Sequence, residues 1–423
     1  MISQPEGNRP FRLCFVQTLA VLALGLAPLP AGWARARSMI DSTRSNEMNR
    51  SDREINAGGY YQGLIGVDGP EGAPAELALR LLGKPTDWVR FRAANVSRNI
   101  DNDFLIFELR PNANQTIFRQ PFTTNAFGMR DRPYTLEKPA GTYRIVVLGS
   151  SMDMGWGVST ESAYVNQLEG WLNAHAAKRG LARRFEVLNF AVAAYSPEQR
   201  LEIFRRKAAA FHPDLVLFSA TLLDTRLMEI HICDLFECRV NLTYNFIAKA
   251  VTNAGITPED LRRDSNDRLR HKDLVKKKLR PYYWEIYDAT LRALAAECHS
   301  TGAPLACAII PRVGKADAPD ARGPILAQLH EVLKRHVDNL LDITDTFDDV
   351  DPESVEIAAW DDHPNAEGHT LLFRALARAI VDDHALYETL FPKQEGAHPE
   401  SATSLKIDDD LGQPTTSRQK TKK

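Results

Sequence analysis

The sequence predicts an α/β protein: a three-layer α/β/α sandwich built on a five-stranded, mostly parallel sheet. Three observations carry that expectation. Five short runs, Arg144–Leu148, Phe185–Asn189, Asp214–Phe218, Pro304–Ile310 and Asn339–Ile343, are largely apolar, as strands covered on both faces require. Between them apolar residues recur at helical spacing; Tyr164, Leu168, Trp171, Leu172 and Ala176 fall on one helix face. Strands alternating with helices make βαβ units, and hence a parallel sheet.

In chain order, residues 1–36 read as a signal peptide. Arg9 and Arg12 precede an apolar stretch from Leu13 to Leu29, and Ala34-Arg35-Ala36 offers a small-x-small cleavage site. Cleavage after Ala36 would place the protein in the periplasm or outside the cell. An uncleaved signal would instead anchor it in a membrane through residues 13–29. Residues 37–140 form a lead-in subdomain, polar and then helical to about residue 85, with Tyr60 and Tyr61 as packing residues, followed by short strands and loops. The α/β domain spans 141–392. One of its helices starts at "SPEQ", where Ser196 is the N-cap, Pro197 the first position and Gln199 the partner in a capping box.

An insertion, 225–281, follows the third strand, where long segments form lids or binding surfaces. It holds "TPED" (Thr257–Asp260), a second capped helix start, and the basic run "RLRHKDLVKKKLR". That run reads either as a solvated helix face or as a contact for an anionic polymer or lipid headgroups. The polar residues 393–423 are expected to be a disordered tail.

Composition narrows the function. With 44% hydrophobic residues, the 423-residue chain can bury an ordinary core. A net charge of −3 argues against a nucleic-acid binder. Cys14 would leave with the signal, and in an oxidising compartment Cys233–Cys238 and Cys298–Cys307 are plausible disulfides. His231, Cys233 and Cys238 are too few ligands for a structural zinc site, so no metal is expected. "GSSMDMGWG" lacks the G-x-G-x-x-G spacing of a dinucleotide site.

The chemistry lies in two stretches. "YRIVVLGSSMDMGWGV" (Tyr143–Val158) ends the first strand of the domain on Gly149-Ser150-Ser151, at the carboxyl end where α/β sheets collect ligands. "AAWDDHPNAEGH" brings Asp361, Asp362 and His363 into one loop after the fifth strand, and Pro364 favours an extended backbone at His363. A serine needs a base, and the base needs a partner to set its tautomer. Alone, the first stretch reads as a turn and the second as a helix-capping loop; their placement at the two ends of one domain joins them.

The segment 144–380 resembles the SGNH, or GDSL, hydrolases. "RIVVLGSSMDMGWGV" is similar to their first block, "VLNFAVAAYSPEQ" to the second, "HPDLVLFSATLLD" to the third and "WDDHPNAEGH" to the last. "TTNAFGMRDRPYTLEKPAGTYRIVVLG" resembles the lead-in of many bacterial members. The resemblance implies an SGNH/flavodoxin-like sandwich and a cofactor-free Ser-His-Asp mechanism. It makes Ser151 the nucleophile, with Ser150 as runner-up, and His363 the base. Asp361 would orient His363, with Asp362 as runner-up.

Gly149, Ala194 and Asp224 fall at the oxyanion and substrate positions of the family. Three positions depart from its pattern: Ser150 stands for the Asp of Gly-Asp-Ser, Ala194 for the glycine of the second block, and Leu223 for the asparagine of the third. Loss of one oxyanion donor typically costs about 10²–10³ in rate, and Asn189, Thr221 or Arg312 are candidates to replace it. Met152, Met154 and Trp156 read as packing residues, Asp153 as structural, and Asp224 as either structural or a substrate contact. Two functions are therefore expected. One is an exported serine esterase that hydrolyses or transfers a small acyl ester, such as O-acetyl, on a carbohydrate. The other is a catalytically degenerate module of the same fold that binds an envelope polymer.

Overall fold

The computed structural model describes residues 91 and 94–393, apart from 266, 315–318 and 359–360. They belong to one compact unit, Gly58–Lys423. The signal peptide, its cleavage after Ala36, the anchor at 13–29, Tyr60, Tyr61 and the tail beyond residue 393 lie outside the described residues.

Two short hairpins come first. β1 (Ser97–Asn99) pairs with β2 (Phe107–Leu109), and β3 (Asn114–Ile117) with β4 (Gln120–Thr123), both antiparallel. The turn of the second is Phe118-Arg119, both at positive φ (51° and 62°), the conformation that matches strand twist in a two-residue hairpin.

All five predicted core strands then follow, each within two residues of its expected ends: β5 (Thr142–Leu148), β6 (Arg184–Asn189), β7 (Leu215–Ala220), β8 (Leu305–Ile309) and β9 (Asn339–Asp342). They pair in parallel in the order β6-β5-β7-β8-β9. The chain therefore winds outward both ways from β5, and a doubly wound sheet binds ligands where the winding reverses.

Helices cover both faces. Ile145 and Val147 of β5 join one apolar cluster with α2 (Tyr164–Lys178), α10 (Ala366–Asp382) and α11 (His384–Leu390). Val146 and Leu148 join another with α3 (Pro197–Arg206), α4 (Asp224–Glu237), α7 (Tyr283–Ser300) and α8 (Pro319–Leu333). The fold is thus the expected three-layer sandwich. The face of α2 predicted from Tyr164, Leu168, Trp171, Leu172 and Ala176 is buried throughout. The "SPEQ" box forms: Gln199 N–H donates to Ser196 Oγ (3.3 Å) and Ser196 N–H to Gln199 Oε1 (3.0 Å). Phe91, Phe104 and Phe107 of the lead-in share the second cluster, so that segment and the sheet have a common core.

Three expectations need correction. The insertion holds α5 (Asn245–Asn253) and α6 (Lys272–Leu279), but no helix starts at "TPED". There Thr257 N–H (2.8 Å) and Oγ1 (2.9 Å) donate to Asp260, and Lys278 pairs with Asp260 at 2.6 Å. The same side-chain bonds that cap a helix also close a turn. The basic run of α6 is largely spent internally as well: Lys272 faces Glu237 (3.2 Å), and Lys276, 5% exposed, faces Glu229 (3.6 Å).

Cys233, Cys298 and Cys307 are free thiols, so neither expected disulfide forms. Cys233 and Cys238 stand five residues apart along α4, about 140° apart around its axis, so one is buried and the other exposed. Cys298 and Cys307 are packed in the apolar cluster, on α7 and β8. Burial pushes the Cys233 and Cys298 thiols up to about 12 and raises the Cys307 thiol as well, which keeps them protonated and inert.

One buried cation ties the lead-in to the sheet. Arg144, 0% exposed in β5, donates to Glu186 (2.8 Å) and to the carbonyls of Thr135 (2.7 Å), Leu136 (2.8 Å), Glu137 (3.1 Å) and Phe211 (3.0 Å). Removing one partner of such a buried pair strands the other charge. Arg144→Met is expected to cost about 3 kcal/mol of unfolding free energy. Urea titration checks this, and a loss under about 1 kcal/mol would refute the role.

Candidate active site

The turn after β5 is built around Asp153. This residue is fully buried in α1 (Ser151–Met154), and its carboxylate folds back to accept the Ser150 N–H (2.7 Å) and the Tyr164 hydroxyl. A Cβ at Gly149 would stand 2.2 Å from the Asp153 carboxyl carbon, so only glycine permits the fold-back. Asn189, at the end of β6, donates its side-chain N–H to the Asp153 carbonyl (2.8 Å) and accepts from the Ala191 N–H (3.1 Å). From the lead-in, Arg130 (2% exposed) donates to the carbonyls of Met154 (3.0 Å), Gly155 and Val158. Its neighbour Asp131 accepts the Asn189 N–H at 3.0 Å, and burial raises its carboxyl to about 7. The "MRDR" stretch is thus the outer support of the turn that carries Ser151.

The second stretch arrives on a short antiparallel pair, β10 (Glu356–Ala358) and β11 (Asp361–Pro364), behind α9 (Pro352–Val355). Asn365 ends the extended segment and caps α10, accepting the N–H groups of Glu367 and Gly368. His363 therefore sits in a strand rather than a loop, with the extended backbone that Pro364 favours.

The two stretches meet across 212 residues. His363 Nε2 is 2.7 Å from Ser151 Oγ, and His363 Nδ1 is 2.6 Å from Asp361 Oδ1, which also accepts the His363 N–H (3.2 Å). Trp156 Nε1–H donates to Asp361 Oδ2 at 3.3 Å, and its ring centroid lies 6.4 Å from that of His363. Ser151 (2%), His363 (1%) and Asp361 (1%) are sealed from solvent. Nearby acids make the surroundings negative. Partial burial and then the charge of Asp362 lift Glu356 to about 7.

These contacts decide between the paired candidates. Ser151, not Ser150, faces the imidazole. Asp361, not Asp362, faces Nδ1; the Asp362 carboxylate is 3.4 Å from Arg312. Ser151, Gly149, His363 and Asp361 stand together, and Ala194 holds the left-handed conformation (φ 64°) that normally calls for glycine. Among the described residues the N–H groups of Ser151 and Ala194 have no acceptor.

Asp224 is a correction. It is 1% exposed and taken up by Arg200 (2.9 Å), the Tyr287 hydroxyl (3.0 Å) and Thr221 Oγ1 (3.0 Å), which makes it a structural anion and not a substrate contact. Thr221 and Asn189 are spent within the protein, and Leu223, beginning α4, offers no side-chain donor. His231 has Ser196 Oγ (3.0 Å) at one ring nitrogen and the Phe104 carbonyl (2.8 Å) at the other. Burial drops it to about 4, as a neutral core histidine. Met152 and Met154 pack in the core as expected. Asp361, Asp362 and His363 are the one group among the described residues with potential metal-ligand atoms within 4.8 Å of each other. Both ring nitrogens of His363 already face Ser151 and Asp361, so a metal there would break that chain.

The sequence reading missed Arg130, Asp131 and the indole donor of Trp156. An Arg-Asp pair among apolar lead-in residues was the only signal for the first two, and nothing in the sequence aimed the indole at Asp361.

No family model matches the sequence, and no curated protein matches it. Among solved structures, a mutant of Axe2, an acetylxylan esterase from Geobacillus stearothermophilus, aligns at TM-score 0.34 and 17% identity, over 56% of this chain and 94% of its own. EstA, a psychrotrophic esterase from Pseudoalteromonas sp., aligns at 0.34 and 14%, over 56% and 97%. A two-domain esterase active on acetylated mannans aligns at 0.35 and 10%, over 57% and 49%. Likeness at this level decides nothing about the chemistry, which is read from the site's own geometry.

A buried carboxyl at the start of α3 gives a pH test. Burial, reinforced by Asp224, raises Glu198 to about 7 in the fold, above its value in the unfolded chain. The unfolded chain gives up that proton first, so stability falls as pH rises from about 4.5 to about 7. Glu198→Gln removes this slope. It is expected to match the wild type below pH 4 and exceed it by on the order of 2 kcal/mol at pH 8, read from urea midpoints; parallel curves would refute it.

Proposed function

We propose that the protein is an exported serine esterase of the SGNH/GDSL type, acting in the periplasm or outside the cell. It hydrolyses or transfers a small acyl group, such as acetate, carried on a carbohydrate hydroxyl. The observation that carries this reading is the unbroken series Ser151 Oγ, His363 Nε2, His363 Nδ1, Asp361 Oδ1, with links of 2.7 and 2.6 Å.

His363 Nε2 takes the Ser151 proton as Oγ attacks the ester carbonyl, and Asp361 steadies the imidazolium. The developing oxyanion is held by the N–H groups of Ser151 and Ala194, which have no other acceptor among the described residues. His363 then protonates the leaving alcohol, and an acyl-serine remains. Water, or a second alcohol in a transfer, attacks the acyl carbonyl as His363 takes its proton, and His363 returns that proton to Ser151 Oγ as the acyl–Oγ bond breaks and the acid or new ester leaves. The nearly sealed surroundings of Ser151 suit a short acyl chain. The carbohydrate and the export follow the resemblance of the sequence blocks and the signal-like start.

A polymer-binding module of the same fold is less well supported. It has no use for a serine within hydrogen-bond reach of a histidine, and the lysines it would use on α6 are mostly paired.

A fluorophosphonate probe read by intact mass tests the proposal. One label is expected on the wild type, none on Ser151→Ala, and strongly slowed labelling on His363→Ala. Against a chromogenic acetyl ester, Asp361→Asn is expected to lose about 10⁴ in kcat, and Asp362→Asn no more than about threefold. A folded wild type that takes no label refutes the esterase.

A further inference from the structure

Asp361 is anchored from its far side by an indole. Its Oδ1 meets His363 Nδ1 (2.6 Å) and the His363 N–H (3.2 Å), whereas Oδ2 meets Trp156 Nε1–H (3.3 Å). Trp156 is 0% exposed and held edge-on by Phe91 (centroids 5.8 Å apart) and Phe118 (5.1 Å apart), the latter from the tip of the β3–β4 hairpin. Beside it, Gly157 lies at φ 79°, where a Cβ would stand 2.1 Å from Ile357 of β10. The indole is therefore fixed to both stretches that make the site.

We propose that Trp156 is a positioning residue whose indole N–H sets the rotation of the Asp361 carboxylate and so the alignment of the Asp361–His363 hydrogen bond. An indole nitrogen only donates, so it favours the carboxylate as an acceptor. A carboxylate with a donor on each oxygen cannot turn about its Cβ–Cγ bond without losing one of them. This inference rests on the esterase reading only for its kinetic readout.

The test compares Trp156→Phe, which keeps a ring but loses the donor, with Phe118→Leu, which loosens the same packing but keeps the N–H. The readout that needs no substrate is the downfield proton resonance of the His363 Nδ1–H, assigned by its disappearance in His363→Ala. Trp156→Phe is expected to move that resonance upfield or broaden it away, and Phe118→Leu to leave it in place.

With a chromogenic ester, Trp156→Phe is expected to lower kcat by about tenfold to a hundredfold, the usual scale for a partner that orients a functional histidine. KM should stay within about twofold and the acid limb of the pH profile should move. Phe118→Leu should keep kcat within about threefold. An unmoved resonance in Trp156→Phe, or equal effects of both variants in line with their thermal destabilisation, would overturn the positioning role. A bridging resonance that responds as expected in a wild type that takes no fluorophosphonate label would uphold the positioning and sink the esterase instead.

Discussion

A carboxylate taken out of water must be surrounded by donors, and the candidate site is organised by that demand. Asp361 and Asp153 are both buried at the carboxyl end of the sheet, each with donors drawn from separate stretches of chain. Asp153 pulls Ser150 and Tyr164 inward and so shapes the turn that presents Ser151. Asp361 pulls His363 and Trp156 together and so aims the imidazole at that serine. An isolated ion in such a place would cost several kcal/mol. Ring placement and hydrogen bonding are therefore two aspects of one arrangement.

The lead-in segment serves the same end from outside. Arg130 spends its guanidinium on backbone carbonyls of the serine turn, and Asp131 takes the N–H of Asn189, which in turn holds the Asp153 carbonyl. Arg144 then fastens residues 135–137 to β5. Guanidiniums spent on backbone carbonyls are structural devices: each satisfies several acceptors that would otherwise be buried without partners.

The departures at Ala194 and Leu223 have different physical weights. Ala194 keeps the left-handed backbone that glycine would adopt freely, so its N–H direction survives the extra methyl group at a strain of roughly 1 kcal/mol. Leu223 removes a donor altogether, the Thr221 hydroxyl is spent on Asp224, and Asp224 is itself held by Arg200 and Tyr287. The N–H groups of Ser151 and Ala194 then remain as the backbone donors for the oxyanion of the proposed reaction.

The five strands, the capping box at Ser196 and the buried face of α2 were legible in the sequence, because each follows from period, turn chemistry or residue type within a few positions. The Gly-Ser-Ser and Asp-Asp-His-Pro stretches were joined by their placement at the two ends of one domain and by the resemblance of their blocks. Ser150 against Ser151 and Asp361 against Asp362 were not separable from their side chains alone, since adjacent residues differ by the direction the backbone gives them. The "TPED" box and the cysteine pairs misled for the same reason: local signals fit two outcomes, and packing of the insertion and of α4 chose between them. Thus the sequence by itself determined the sandwich and the two stretches that carry the chemistry. Only the tertiary structure decided which serine meets the histidine, which aspartate backs it and that an indole holds the aspartate, because those contacts join residues some 200 positions apart whose distances no local pattern encodes.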